Sequence, residues 1–173
     1  MNGTTGGNYT FLGREFLTWL WHKSEERNGV VNLPGQGDIG VIFLRRIVFE
    51  SGEGEFAETV SCQGFRTDLK EGKAALRQGK KIREARLRLS IGTADWEFTF
   101  NADNFRFQSL SLPAGPEEKD DSESREARLL DRIGMTEEAV ATMEKLFAYF
   151  LEKRLSGQWQ TEEIPRFDKW LRN

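Results

Sequence analysis

The apolar positions at the start of the chain follow a helical period. In residues 11–27, Phe16, Trp19 and Leu20 are spaced i, i+3 and i+4, as on one face of a helix. A second i, i+4 apolar pair lies beside this face. Because a surface helix normally has a narrower apolar stripe, the segment predicts a helix that is largely buried in the core. A partner surface and a ligand site on the tryptophans are the alternatives.

The pattern then changes to one that is typical of strands. Residues 28–38 contain several glycines and a proline, and they are predicted to be a loop. Residues 39–49 and 56–62 are rich in β-branched and aromatic side chains, and they predict two strands of a hairpin. The Arg45-Arg46 pair interrupts the alternation in the first strand, which indicates a bulge or a strand end there.

A helix and three more strands are predicted next. The helix begins near Thr67, with Glu71 placed as in a capping box, and it ends at Gln78 because Gly79 suits the position after a helix. Three segments then alternate between an apolar and a polar face, which predicts an antiparallel meander. These segments are residues 80–91, 94–101 and 105–112.

The last third of the chain is predicted to be helical. Residues 113–124 combine prolines with an acidic run, which indicates a linker. A short helix is predicted over 125–133 and a longer one from Thr136 to Leu155. We expect residues 158–173 to pack back onto the body through three aromatic side chains, which are Trp159, Phe167 and Trp170.

These elements together predict an α+β fold. An antiparallel sheet, made of a hairpin plus a three-strand meander, packs with the N-terminal aromatic helix, and a C-terminal helical segment follows. In this prediction, two sheet segments, 39–62 and 80–112, pack against the 11–27 helix. The predicted organisation is a disordered tail (1–10), an α+β domain (11–112), an acidic linker (113–124) and a helical C-terminal segment (125–173).

Composition is consistent with a globular domain. The 173 residues are 38% hydrophobic and 12% aromatic, which suffices for a core. No run approaches the ~18 apolar residues of a membrane helix, and the N-terminus lacks the features of a secretory signal. The single cysteine, Cys62, excludes an internal disulfide framework. We therefore expect a cytoplasmic protein that makes no contact with membranes.

Residues that carry catalytic chemistry are scarce. His22 is the only histidine, and no cysteine or carboxylate pattern surrounds it, so we expect an exposed or capping histidine. Cys62 lies in a predicted strand, where a buried, inert thiol is usual. No phosphate loop or nucleophile motif is present. We predict a non-enzymatic protein with no catalytic residues, metal ligands or cofactor.

Charge is distributed unevenly along the chain. The net charge is -3, yet residues 66–88 hold nine basic and three acidic residues, and residues 117–144 hold ten acidic and four basic ones. Of the seven candidate positions, three lie on one face of the predicted helix, two lie in the following turn and two lie on one side of the next strand. Such a surface contacts phosphates without reading sequence, although an ordinary solvated face is the alternative. The candidate DNA-binding residues are Lys70, Lys73, Arg77, Lys80, Lys81, Arg86 and Arg88.

Several segments resemble one known family. The stretch FLGREFLTWLWHKSEE resembles the helix that opens the C-terminal half of the bacterial recombination-associated RdgC proteins. The similarity continues through three further stretches, which are Gly64–Asp68 with Lys80–Trp96, Ala94–Leu112 and Arg132–Leu155. It implies a non-enzymatic homodimer that binds duplex DNA without sequence specificity and acts in recombination control at the nucleoid. The family's N-terminal half, which helps to close a ring around DNA, has no counterpart in these 173 residues.

Two other functions compete with DNA binding. The chain is alternatively a protein-interaction or dimerisation module that binds no nucleic acid, and a small enzyme is the third hypothesis. For a homodimer, the sequence predicts an interface on the 137–155 helix or on the aromatic 11–27 helix, because both have broad apolar faces.

Overall fold

The computed structural model describes residues 10–51, 58–63, 68–114 and 122–173, and it has the predicted α+β architecture. Residues 1–9 of the predicted disordered tail lie outside the described residues, as do residues 115–121 of the predicted linker. The helices of the described part are α1 (Thr10–Glu26), α2 (Asp68–Arg77), α3 (Ser122–Leu155) and α4 (Ile164–Arg172). A short π-helical segment, Trp159–Glu163, leads directly into α4.

The strands form one antiparallel sheet. They are β1 (Val30–Leu33), β2 (Gly37–Ser51), β3 (Glu58–Gln63), β4 (Lys81–Ile91), β5 (Ala94–Asn101) and β6 (Arg106–Ser111). Their order is β1-β2-β4-β5-β6, and β3 pairs with the second half of β2, on the same edge as β1. The predicted pairing of the first two strands and the meander of the last three are confirmed. The two predicted sheet segments are one sheet, because β2 pairs directly with β4.

Two local predictions are confirmed by the backbone. The register between β2 and β4 shifts between Phe43 and Ile47, so the Arg45-Arg46 pair marks a bulge inside a continuous strand. Helix α2 ends at Arg77, and Gly79 follows in the left-handed conformation with φ of 83°. Glycine adopts that conformation without the steric cost of a Cβ atom.

The predicted loop at residues 28–38 is wrong in part, because it contains strand β1. Val31 and Leu33 alternate with exposed neighbours and are buried against the core. Glycines on either side, Gly29 and Gly35, take positive φ values of 89° and 78° and supply the turns. The glycines and the proline therefore mark the two turns around a short strand rather than one long loop.

The predicted break in the C-terminal helices is also wrong. A single helix, α3, runs from Ser122 to Leu155 and includes residues 122–124, which were predicted to belong to the linker. Gly134 lies inside this helix. One glycine costs a helix about 1 kcal/mol relative to alanine, which is too little to end a helix whose later turns pack on the core.

Helix α1 lies at the centre of the core, as its pattern predicted. Phe16, Leu17 and Leu20 have no exposed surface. They join the inward-facing side chains of the sheet, such as Phe98, in one apolar cluster. The C-terminal residues belong to the same cluster, with Trp159 in it and Phe167 and Trp170 packed against it, so the predicted packing of residues 158–173 onto the body is confirmed. Within the described ranges, no helix is long and apolar enough to cross a membrane.

The start of α1 makes a close backbone contact with the sheet. A Cβ atom placed on Gly13 would lie 1.9 Å from the carbonyl oxygen of Ala102. We therefore expect Gly13→Ala to lower the free energy of unfolding by at least about 1–3 kcal/mol, as overpacking does. Urea denaturation measures this change. Gly134→Ala is the matched control: it meets open space in α3 and should raise the stability by up to about 1 kcal/mol.

Candidate functional site

Two basic residues of α2, Lys73 and Arg77, contact the C-terminal helix α4, although Arg77 remains exposed to solvent. Lys70 is exposed. Lys73 is buried, and its Nζ lies 4.7 Å from the centre of the Trp170 ring. Burial lowers the pKa of Lys73. The Arg77 guanidinium donates hydrogen bonds to the backbone carbonyl of Leu171, with Nε at 2.9 Å. Lys73 and Arg77 therefore help to hold α4 against α2.

The two lysines between α2 and β4 also have partners within the chain. Lys80 is buried, and its Nζ donates a hydrogen bond of 2.7 Å to Glu58. This bond holds the pKa of Glu58 below its usual value. Lys81 Nζ lies 3.6 Å from a carboxylate oxygen of Glu15 and 3.7 Å from the centre of the Phe11 ring. Burial lowers the pKa of Lys81, with a smaller opposing effect from Glu15.

Arg86 and Arg88 of β4 lie on the polar face of the sheet and share one carboxylate. Arg88 donates two hydrogen bonds to Glu97, the shorter at 2.6 Å, and Arg86 donates one at 3.3 Å. These bonds, chiefly those from Arg88, lower the pKa of Glu97. The side chain of Arg46 on β2 is 57% exposed near them and pairs with Glu84. The predicted positive surface is thus divided between the sheet face and the α2 region, and carboxylates compensate much of its charge.

The prediction that His22 is exposed or caps a helix is wrong. Its side chain is only 1% exposed because α4 covers it, with Phe167 and Trp170 at ring distances of 5.4 and 5.2 Å. Its Nε2 lies 3.5 Å from Glu26, and its Nδ1 is buried without a hydrogen-bond partner. Desolvation lowers the pKa of His22 from 6.5 to about 4. The predicted buried thiol at Cys62 is confirmed.

A partly buried ionic cluster joins four distant parts of the chain. Arg14 of α1 pairs with Asp103 at 2.6 Å and with Glu50 of β2 at 3.0 Å, and Glu50 also pairs with Arg83 of β4 at 2.6 Å. The cluster holds the start of α1 on the sheet beside the close contact at Gly13. No spacing in the sequence indicates it, because its members come from elements that are far apart in the chain.

The start of α3 carries exposed apolar side chains, which the sequence analysis missed. Leu129 is 60% exposed, Leu130 is 68% exposed and Ile133 is 45% exposed. The helix joins the apolar core only at Met135 and the residues after it. We call residues 122–134 the α3 arm. Leu129, Leu130 and Ile133 are spaced i, i+1 and i+4, and the sequence predicted only a short helix over 125–133 there.

Comparisons with known proteins identify no relative of this chain. No protein-family model, curated protein or solved structure matches it. In the described part of the chain, no group of three or more histidine, cysteine, aspartate or glutamate side chains is placed to hold a metal ion. The described residues therefore form two candidate interaction surfaces, which are the exposed apolar α3 arm and the face of the sheet that carries Arg86 and Arg88.

Proposed function

We propose that this chain is a protein-interaction and dimerisation module whose contact element is the α3 arm. The observation that supports this proposal is the exposure of three large aliphatic side chains, Leu129, Leu130 and Ile133, on neighbouring turns of one helix. Single exposed apolar residues are common on proteins, but a contiguous patch is typical of an interaction site. After Met135, most large apolar side chains of α3, such as Met143, Leu146 and Phe150, contribute to the chain's own core.

The proposed contact lies at a different place from the two faces that the sequence favoured. On α1, Phe16 and Leu20 are buried within the chain, and so are Met143, Leu146 and Phe150 of α3. Those faces cannot serve a partner unless the core opens. The arm is about 20 Å long at 1.5 Å per residue, and a helix of that length is marginal in water without packing. A partner that covers the arm would stabilise it.

Charge along α3 favours a second copy of the chain in antiparallel orientation. Arg125 and Arg128, with Glu126 between them, lie on the N-terminal side of the apolar residues, and Glu137 and Glu138 lie on the C-terminal side. A two-fold axis near the middle of the apolar patch brings the arginines of one helix near the glutamates of the other. The same arrangement pairs the aliphatic side chains with one another and aligns the helix dipoles in opposite directions.

We expect the wild-type chain to sediment as a dimer at micromolar concentration and the double variant Leu130→Ser with Ile133→Ser to sediment as a monomer. The physical reason is the loss of most of the aliphatic surface that the partner covers. Analytical ultracentrifugation measures both states. Leu155→Ser is the matched control, because Leu155 is 85% exposed at the far end of the same helix and should leave the dimer intact. A wild-type chain that stays monomeric at several hundred micromolar would contradict the proposal.

A second candidate is weak binding of duplex DNA without sequence specificity, as the resemblance to RdgC proteins implies. The supporting observation is that Lys70 and Arg46 are exposed, and that the Arg86 and Arg88 side chains remain 34% and 41% exposed. Arginines on a sheet face contact phosphates if a ligand competes with Glu97 for them. Since Lys73 and Lys80 are buried, the proposal rests on the exposed members of the predicted set.

For this candidate we expect a fluorescent duplex to bind at low salt, with an affinity that falls steeply as salt rises because counterions are released. The double variant Arg86→Gln with Arg88→Gln should weaken binding at least tenfold. Arg166→Gln with Arg172→Gln makes the same change in charge at exposed positions of α4 and should weaken it less. If the duplex does not bind at low salt, the DNA-binding candidate is wrong and the interaction module stands alone.

A further inference from the structure

A cavity of about 160 Å³ lies between α1, the end of α2 and the C-terminal segment. Its walls are mostly apolar and aromatic. The side chains that form them are Trp19, Leu76, Trp159, Ile164 and Phe167. A dry cavity of about 150 Å³ with aliphatic and aromatic walls is large enough to bind benzene. The space therefore fits a single six-membered ring.

The charged groups around this cavity differ in how completely they are paired. Glu163 accepts a hydrogen bond of 3.0 Å from Trp19 Nε1 and lies 2.9 Å from Lys23 Nζ. Lys80 pairs with Glu58 at 2.7 Å. These two lining groups are compensated from within the chain, so neither provides a charge for a ligand.

Lys81 is the exception. Its Nζ lies 3.6 Å from Glu15, which is longer than a normal hydrogen bond. The other carboxylate oxygen of Glu15 accepts a shorter bond of 3.0 Å from Arg154, so one carboxylate serves two cations. The Lys81 side chain is 30% exposed and lines the cavity beside Glu15, and its Nζ also lies 3.7 Å from the centre of the Phe11 ring. An anion bound in the cavity would give this ammonium group an ion-pair partner at hydrogen-bond distance.

We propose that the cavity binds a small aromatic monocarboxylate, whose ring lies between Trp19 and Trp159 and whose carboxylate pairs with Lys81. The apolar walls contribute affinity through burial of the ring, and the ion pair at the partly exposed Lys81 selects for the anion. This site is independent of the α3 arm and of the polar face of the sheet, and its ligand is a small molecule rather than a macromolecule.

The probe for this site is benzoate, with benzyl alcohol as its uncharged counterpart. A titration followed by the indole N–H signals in ¹⁵N-labelled protein should shift the resonances of Trp19 and Trp159, identified by their loss in Trp→Phe variants. We expect benzoate to bind at least tenfold more tightly than benzyl alcohol. Lys81→Met should remove this preference, whereas Lys70→Met changes the same residue type at an exposed position of α2 and should keep it.

A second variant tests the volume of the site separately from its charge. Ile164→Trp places a larger side chain in the cavity and should abolish the binding of both probes while Lys81 remains in place. The site is wrong if benzoate shifts neither indole at 10 mM, or if Ile164→Trp binds it as well as the wild type does. The anionic class is wrong if both probes bind equally, or if Lys70→Met weakens benzoate as much as Lys81→Met.

Discussion

Trp19→Ala should lower the free energy of unfolding by about 3–5 kcal/mol, as large-to-small changes of buried aromatic residues do. Trp19 is buried, and its ring lies 5.5 Å from that of Phe150 and 6.0 Å from that of Tyr149. It contacts both α3 and the C-terminal segment. Truncation leaves a cavity there and removes the indole donor to Glu163.

Guanidinium denaturation followed by circular dichroism measures this loss. Trp19→Phe helps to separate the two contributions, because it keeps an aromatic ring in the core and removes the indole N–H together with part of the ring. We expect it to cost less than half as much, since Lys23 still pairs with Glu163. Phe11→Ala is the control, because Phe11 is 47% exposed at the start of the same helix. A cost for Trp19→Ala no larger than for Phe11→Ala would show that α1 is not the centre of the core.

Most of the fold was predictable because it rests on short-range periodicity. Alternation identified β2, β4, β5 and β6 to within about two residues, and the 3.6-residue period identified α1. The failures have physical reasons. Strand β1 is only four residues long, so its alternation was hidden by the turn residues on both sides. The break predicted near Gly134 was wrong because the packing of the later turns of α3 on the core outweighs the cost of one glycine in the helix.

The candidate site was less predictable, because partners distant in the sequence decide whether a charge is available. The spacing of Lys73 and Arg77 placed them on one helix face, but α4 buries Lys73 and binds the exposed Arg77 through a backbone carbonyl, and its residues are more than ninety positions away. Lys80 is buried for a similar reason, against a residue of β3. Periodicity tells which residues share a face, and it does not tell which element packs there.

His22 illustrates the same point and leads to a prediction about acid stability. Its sequence neighbours indicated an exposed group at a helix end, yet α4 removes it from solvent. The neutral form is favoured in the folded state, in which its pKa is about 4, whereas the unfolded chain has the ordinary value of 6.5. The unfolded state therefore binds the proton first as the pH falls, so stability declines from about pH 6.5 and the loss is complete near pH 4.

The difference between the two pKa values corresponds to about 3 kcal/mol of unfolding free energy. Urea denaturation at a series of pH values should show this decline in the wild type. His22→Phe keeps a ring between Phe167 and Trp170 but cannot take up a proton, so it should remove most of the decline between pH 6.5 and 4.5. An equal decline in wild type and variant would contradict the assignment to His22.

The groups that face His22 do not produce the same effect in that window. Lys23 and Arg166 oppose its protonation, whereas Glu26 and Glu163 favour it. Burial raises the pKa of Glu163, but the hydrogen bonds from Lys23 and Trp19 lower it further, so the net pKa is below the usual value. The stability that Glu163 contributes is therefore lost only below pH 4.5.

Because α4 covers the imidazole, we expect amide exchange in α4 to accelerate on acidification before that of β4 and β5. We expect His22→Phe to suppress this early opening.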